Sequence, residues 1–413
     1  LRRRPCDYDE WAAHGLEEWS WRRCLPAFRG LERDLDLDAP WHGQQGPMPI
    51  RRARPEGLDA WQTALLEACA SLGFSACLDH NAPGSRGAGP HPRIELEGEP
   101  IGAPEAYLGE AVRARGNLRI RARRLVRRVL FSKRKVIGLE AWGPKGLEVI
   151  SASQVVLCAG AIHTPALLLR SGIGPRRELE ALGIEPLHEL DAVGARLLMR
   201  PRCVILFEPR RVEPGRGHRP ASQALLRYRA RDARRIDETW VQAGSFLSTR
   251  VADLPLLSVI TSLGKPRGWG RLRLRSADPR IAPRLEAALL EDADDLEALV
   301  ESVELAFLLA TSASMHALAR PLLPGERAFG SRAAIRQWIH RRTGAGSAPC
   351  GTVPMGAPED PDAACDAYGR VRGLEGLFVA DASLMPTIPS ASLELPTMMI
   401  GERFGAWFRD GLL

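Results

Sequence analysis

The chain has 413 residues, 45% of them hydrophobic, enough to fill one large core or two of domain size. Its net charge is +7, yet only four of the 57 basic residues are lysine (Lys133, Lys135, Lys145, Lys265), and the arginines are mixed with Asp and Glu along the chain. That pattern argues against a nucleic-acid surface, no apolar run approaches the roughly 18 residues of a membrane span, and the eight cysteines include no C-x-x-C pair for zinc or a disulfide framework.

Leu1 to Arg4 is basic with no apolar stretch behind it, so no signal peptide is read. The missing initiator Met suggests a sequence that begins partway through something longer, and the cysteine usage fits a reducing, cytoplasmic setting. From Arg4-Pro5 the chain enters a helix with Asp7 as its cap, and Trp19 to Phe28 reads as a second, amphipathic helix. Trp61 to Gly73 is a helix ended by glycine, and Glu105 to Arg115 is helical with Tyr107 and Leu108 facing inward. Asn117-Leu118-Arg119-Ile120 starts an alternating strand, Leu125 to Phe131 gives another and Val136 to Glu140 a third. Ser151 to Cys158 is a strand that runs into Ala159-Gly160, small residues that let a backbone or ligand approach closely. Pro165 starts the next helix and Gly172 stops it. Leu206 to Arg250 is polar and poorly patterned, and is read as strands with a mobile loop. Asp292 to Thr311 and Ser331 to Arg341 are helices.

The stretch Leu377 to Ser390 organises the chain. Leu377 to Ala380 is a short buried strand, Asp381 stands at its end, Pro386 and Pro389 force an extended loop, and Pro396 suits the first turn of a helix that runs to Phe408. A strand, an acidic residue at its carboxyl end, a rigid loop and a helix N-terminus make a place for a polyanionic cofactor. An ordinary strand–loop–helix connection would read the same way.

The wording of that stretch, Val379-Ala380-Asp381-Ala382-Ser383 through Met385-Pro386-Thr387-Ile388-Pro389-Ser390 to Pro396-Thr397-Met398-Met399-Ile400, closely resembles the carboxyl-terminal signature of the glucose–methanol–choline (GMC) flavoprotein oxidoreductases. Gly160-Ala161 through Thr164-Pro165 to Ser171-Gly172-Ile173-Gly174 is similar to the same family's second signature. Arg4 to Trp11, Trp19-Ser20-Trp21 to Phe28, His42 to Ile50 and Gly270 to Pro279 also resemble family phrases, while agreement frays after Gly194. The resemblance implies a mixed α/β (α+β) fold, with an incomplete Rossmann-like FAD-binding domain and an antiparallel-sheet substrate domain. It assigns 1–202 to FAD-domain segments and lid, 203–340 to the substrate domain and 341–413 to a return into the FAD domain. By the same resemblance Val126, Ala159, Gly160, Asp381, Ala382, Pro396, Thr397 and Met398 contact the FAD, no metal is used, and the substrate is a small-molecule alcohol. Asp79-His80-Asn81 takes the place of a turn at the active-site entrance.

Two departures stand out. The family's catalytic His falls on Ala348, in Ala348-Pro349-Cys350-Gly351-Thr352, and its second catalytic position falls on Glu394, a candidate carboxylate base or a helix-terminal Glu. Cys350 reads as a core residue, and no Ser-His-Asp arrangement can be built from local spacing. No G-x-G-x-x-G, the usual cradle for the pyrophosphate, occurs in the chain. The expectation is therefore an FAD-dependent oxidoreductase of CH–OH groups that binds FAD weakly as given. The alternatives are a non-catalytic remnant that binds a partner or small ligand, and one chain of a split flavoenzyme whose nucleotide-binding unit comes from a separate chain.

Overall fold

The computed structural model describes residues 4–211, 222–230, 239–245, 247–248, 253–254, 256–346, 348–390 and 392–413. Parts of the loop expected within Leu206 to Arg250 lie outside them. Among the described residues no helix is long and apolar enough to cross a membrane.

Two hydrophobic cores divide these residues. The first gathers the aromatic residues of the opening segments: Tyr8, Trp11, Trp19 and Phe28 are all fully buried. Tyr8 meets Trp11 edge-on at 5.1 Å and Trp19 meets Trp407 at 5.5 Å, the offset geometry that aromatic quadrupoles favour. Trp407 belongs to the last helix, Glu394–Arg409, which packs on the helix Trp21–Leu31. The Arg403 guanidinium stands over both Trp19 (5.3 Å) and Trp407 (4.7 Å), a cation–π contact that seals this seam. Within the same core the strands Val155–Leu157 and Leu377–Val379 run parallel and in register, Val156 opposite Phe378. Val156 is 38% exposed. A meander of Leu125–Ser132, Lys135–Gly143 and Gly146–Ser151 packs alongside and carries Lys133, Lys135 and Lys145 on its exposed rim.

The second core lies under an antiparallel sheet. Its strand order is Ala319–Leu323, Pro201–Pro209, Leu257–Leu263, Thr239–Gly244, Ala224–Tyr228 and Gly87–Pro90, with Gly344–Ala345 pairing off the Pro201 end. Alternation fixes which face is buried: Cys203, Ile205 and Phe207 have no exposure, while Arg202, Val204 and Leu206 are half-buried on the other side. The buried face is covered by the helices Ala60–Ser71, Ala293–Ala310 and Arg332–Arg342, capped by Asp59, Asp292 and Ser331. Trp61 to Cys69 and Ala88 thus belong with the sheet, although they lie within 1–202.

Local expectations are corrected at four places. Asp7 caps nothing: it sits in the first turn of the helix Pro5–Ala13 and its carboxylate accepts from the backbone N–H (3.1 Å) and hydroxyl (2.7 Å) of Ser390. Asn117 to Ile120 is not a strand, because among the described residues no strand pairs with it, and Ile120 is left 55% exposed. The helix expected over Glu105 to Arg115 is two short ones, Ala103–Tyr107 and Glu110–Arg113, parted at Leu108-Gly109. Pro165 does not start its helix, which runs Gly160–Arg170. Proline there lacks the N–H that Ala161 C=O would receive, and the Thr352 hydroxyl donates to that carbonyl instead, at 2.7 Å.

Candidate active site

The site is built where the two sequence signatures meet. The parallel strands end side by side, and Asp381, just past its strand, turns its carboxylate back across the pair. One oxygen accepts from Gly160 N–H (2.9 Å) and the Thr164 hydroxyl (2.5 Å); the other accepts from Ser383 N–H (2.8 Å) and the Ser383 hydroxyl (2.5 Å). Asp381 is 3% exposed, so four donors on one buried carboxylate form a stiff clamp between segments more than 200 residues apart. Gly160 has φ +79°, and no atom lies within 4 Å of where a Cβ would stand. The backbone therefore opens onto free space at the carboxyl ends of the parallel strands, where open α/β sheets receive ligands. Ala159 and Ala382 flank that opening, Ala159 exposed and Ala382 half-buried.

The segment around Ala348 is laid between the same signatures. Gly351 N–H donates to Ala382 C=O (3.1 Å), Val353 N–H to Ser383 C=O (2.9 Å), and Thr352 reaches Ala161 as described. Val126, half-buried, packs against the first core from the meander, whose Val129 N–H donates to the Ser171 hydroxyl at the end of the Gly160–Arg170 helix (2.8 Å). Pro396 is buried in the first turn of the last helix, and the Thr397 hydroxyl donates to Leu393 C=O within that helix (2.7 Å). Met398 lies apart, lining a groove of about 780 Å³ against the Trp21–Leu31 helix.

Beside Ala348 lies a cavity of about 220 Å³, walled by Ala348, Gly346 and Ser392 on one side and floored by the half-buried face of the antiparallel sheet. Its floor is two cross-strand rows: Arg202, Ser262, Trp240 and Arg227, then Ile260, Gln242 and Leu225. His80 and His91 complete the lining. Burial, with the Arg227 charge and His91 adding to it, pushes the His80 imidazole down to about 3; burial with Arg93 does the same for His91. Both are neutral at physiological pH. The second catalytic position departs from expectation in detail: Ser392 is in the wall, whereas Glu394 stands exposed at the start of the last helix. Protein atoms crowding its inner side raise the Glu394 carboxyl above its ordinary range. Cys350 is fully buried.

The turn Asp79-His80-Asn81 is held from behind. Asp79 accepts from Arg52 (2.9 Å) and the Trp41 indole (3.2 Å), and lies 3.0 Å from His42 Nε2; Arg52 also grips both oxygens of Asp34. Glu32, Asp34 and His42 present potential metal-ligating atoms within 4.8 Å of one another, but the Arg52 guanidinium already supplies a cation to that acidic group. The glycines of His42-Gly43-Gln44-Gln45-Gly46 have a packing reason, since a Cβ at either position would strike backbone of the segment Arg29–Glu32.

The structure brings Asp381 and Gly160 into contact and sets Ala348 and His80 beside one cavity. Arg202, Arg227, Trp240 and Ser262, which the sequence alone does not single out, line that cavity too. Alternation in Pro201–Pro209 puts Arg202 opposite the core, but which strands lie beside it is not written in local pattern.

A parallel strand pair with an acidic residue and an open glycine at its carboxyl end, together with a cavity floored by an antiparallel sheet, is the kind of place where α/β proteins receive a nucleotide-type ligand and a small molecule. The chain belongs to the GMC oxidoreductase family: the family models match residues 1–202 and 266–401. It is 33% identical over 417 residues to a 5-(hydroxymethyl)furfural oxidase of Methylovorus sp. (strain MP688), covering 97% of this chain and 78% of that protein. An oxygen-dependent choline dehydrogenase of Photobacterium profundum is 28% identical over 433 residues, covering 98% and 76%. Among solved structures, pyridoxine 4-oxidase from Mesorbium loti superposes with a TM-score of 0.90 at 30% identity, covering 99% of this chain and 81% of that one. A formate oxidase shares the fold at TM-score 0.87 and 21% identity, covering 100% and 82%.

Proposed function

We propose that this chain forms the substrate side and part of the flavin side of an FAD-dependent oxidoreductase acting on CH–OH groups, with its proton acceptor altered. The observation that carries the reading is the Asp381 clamp, which opens Gly160 to a ligand one segment away from the cavity beside Ala348. Ala159, Gly160, Asp381 and Ala382 fit the flavin end of the cofactor, and Val126 fits as a flanking contact. The pyrophosphate end lacks its glycine cradle in this sequence, so occupancy by FAD is expected to be low.

FAD supplies the two-electron acceptor for the hydride that leaves the carbinol carbon. The chain's own part is to hold the alcohol and take up the hydroxyl proton. The Trp240 indole N–H and the neutral His80 imidazole can hold the oxygen, each having an unpartnered ring nitrogen. At Ala348 no group can accept a proton, and His80, hard to protonate, is a weak substitute. Glu394 is the remaining candidate base, in which case the last helix must bring it to the wall that Ser392 now forms. Slow turnover follows from either arrangement.

The test is Ala348→His in protein purified with added FAD, with dye reduction read against 5-(hydroxymethyl)furfural, choline and pyridoxine, the substrates that the relatives' names suggest, and against 4-(hydroxymethyl)benzoate. A gain of ~100-fold or more over the parent is expected, the usual worth of a positioned general base. No gain at equal flavin content sinks the reading. A second reading, a non-catalytic member or one chain of a split enzyme located in the cytoplasm, is favoured by the same Ala348 and by the exposed side of Val156. It predicts a colourless protein that gains flavin only with a partner chain carrying the nucleotide-binding unit.

A further inference from the structure

The floor of the cavity beside Ala348 is cationic. Arg202 and Arg227 stand at the two ends of one cross-strand row, with Ser262 and Trp240 between them. Three strand spacings separate them, roughly 14 Å between backbones. The Arg202 end is the one nearest the altered catalytic position, because Gly344–Ala345 pairs with Pro201 and Arg202 and Leu198 bridges Cys350, laying Ala348 alongside Arg200. Arg200 donates to Gly264 C=O (2.9 Å) and to Pro389 C=O. Arg227 donates to His80 C=O (2.6 Å) and the Ser85 hydroxyl (3.2 Å). The Arg202 side chain makes no hydrogen bond or ion pair among the described residues, although its strand is flanked on both sides in the sheet.

A second observation is independent of charge. His80 is 2% exposed, its Nδ1 lies against the Cys77 thiol at 3.4 Å, and its Nε2 has no partner; the Trp240 indole N–H has none either. Two buried ring nitrogens without partners in a cavity wall are costly unless something polar arrives to meet them. No carboxylate occurs among the described lining residues. The aromatic face that a quaternary ammonium would seek is also taken, since the Arg200 guanidinium stands 5.4 Å from the centre of the Trp240 ring.

We propose that the cavity selects alcohols bearing a carboxylate, with the Arg202 guanidinium gripping the carboxylate while Trp240 and His80 meet the hydroxyl, and that cationic alcohols such as choline are excluded. The proposal rests on reading this cavity as the alcohol site, and a planar guanidinium fork is the side chain best matched to a carboxylate. It gives the cavity a substrate class without any step at the cofactor.

The experiment is calorimetric titration of the full chain with 4-(hydroxymethyl)benzoate, its neutral amide 4-(hydroxymethyl)benzamide, and choline, none of which requires turnover. The benzoate is expected to bind ~10-fold tighter than the amide, about 1.4 kcal/mol, because a guanidinium makes two charge-assisted bonds to a carboxylate, each stronger than its neutral counterpart. Arg202→Gln should abolish that preference, bringing benzoate affinity to the level of the amide, and Arg202→Lys should keep part of it. Melting temperatures of both variants establish that they are folded; the Arg202 side chain has no hydrogen-bond or ion-pair partner among the described residues to lose. Equal affinity for benzoate and amide, tighter binding of choline, no binding of any ligand, or an undiminished preference in Arg202→Gln would each overturn the proposal. Carboxylate-selective binding in a protein that never reduces dye, even as Ala348→His with FAD, would leave the inference standing and remove the proposed function. Oxidation of neutral alcohols without carboxylate preference would do the reverse.

Discussion

Asp381 accepts four hydrogen bonds on two oxygens, and no isosteric neutral side chain can do the same. In Asp381→Asn the amide nitrogen replaces one acceptor and must face donors, either Gly160 N–H with Thr164 or the Ser383 pair. Leaving buried donors without their acceptor costs about 1–3 kcal/mol, so urea unfolding of Asp381→Asn should show a loss of that order; no measurable change would show that the clamp is dispensable. At this scale the sequence was legible where a residue acts through its own neighbours in the chain. Asp381 follows an apolar run and precedes prolines, and Ala348 occupies a recognisable phrase. Arg202 was not legible, because its role comes from Ser262 and Trp240, which only strand pairing brings beside it.

Elements of the first core are joined by side chains that repair one another's backbone. Pro165 deprives Ala161 C=O of its helical donor, and Thr352, from the segment that carries Ala348, provides the replacement. Thr352→Val should cost about 1–3 kcal/mol, the penalty of an orphaned buried carbonyl. Pro165→Ala restores an N–H to the helix, so in that background the same valine substitution should cost markedly less. A thermodynamic cycle with additive effects would refute the coupling.

The loop His42 to Ile50 and the turn Asp79 to Asn81 are joined by charge instead. Burial alone would raise the Asp79 carboxyl, but the His42 hydrogen bond and the Arg52 guanidinium outweigh it and hold the group well below the ordinary carboxylate range. A folded value below the unfolded one, about 3.9, means the stabilisation is complete above that pH and is lost as pH falls through the folded value. Acid unfolding monitored by tryptophan fluorescence should therefore steepen below about pH 4, and Asp79→Asn should flatten that limb; a limb unchanged by the substitution would exclude Asp79 as its cause. Helices with side-chain caps were legible in the sequence almost to the residue, as at Asp292 and Ser331. Asn117 to Ile120 was not, because alternation marks a strand only when a partner strand exists.

Over the whole molecule, two cores meet at the cavity: its wall belongs to the segments of the first and its floor to the sheet of the second. Family resemblance made the two-part plan legible, while the division between parts was blurred at Trp61 to Cys69, which follow the first core's residues in sequence but pack under the sheet. A helix's apolar face does not say which sheet it will meet.

The distribution of primary amines has a practical outcome. Lys265 is tied to Asp7 (3.4 Å) and to Glu10 beneath the opening helix; burial would lower its ammonium, but the two carboxylates raise it. Lys133, Lys135 and Lys145 all project from the exposed rim of one meander. An amine-reactive ester used sparingly at neutral pH should thus tag this meander at both ends of its middle strand, Lys133 and Lys135 where that strand begins and Lys145 after it, with peptide mapping finding label at these three and little at Lys265. Immobilisation through such chemistry would anchor the protein by the meander, and prominent early labelling of Lys265 would show that its ion pairs do not protect it.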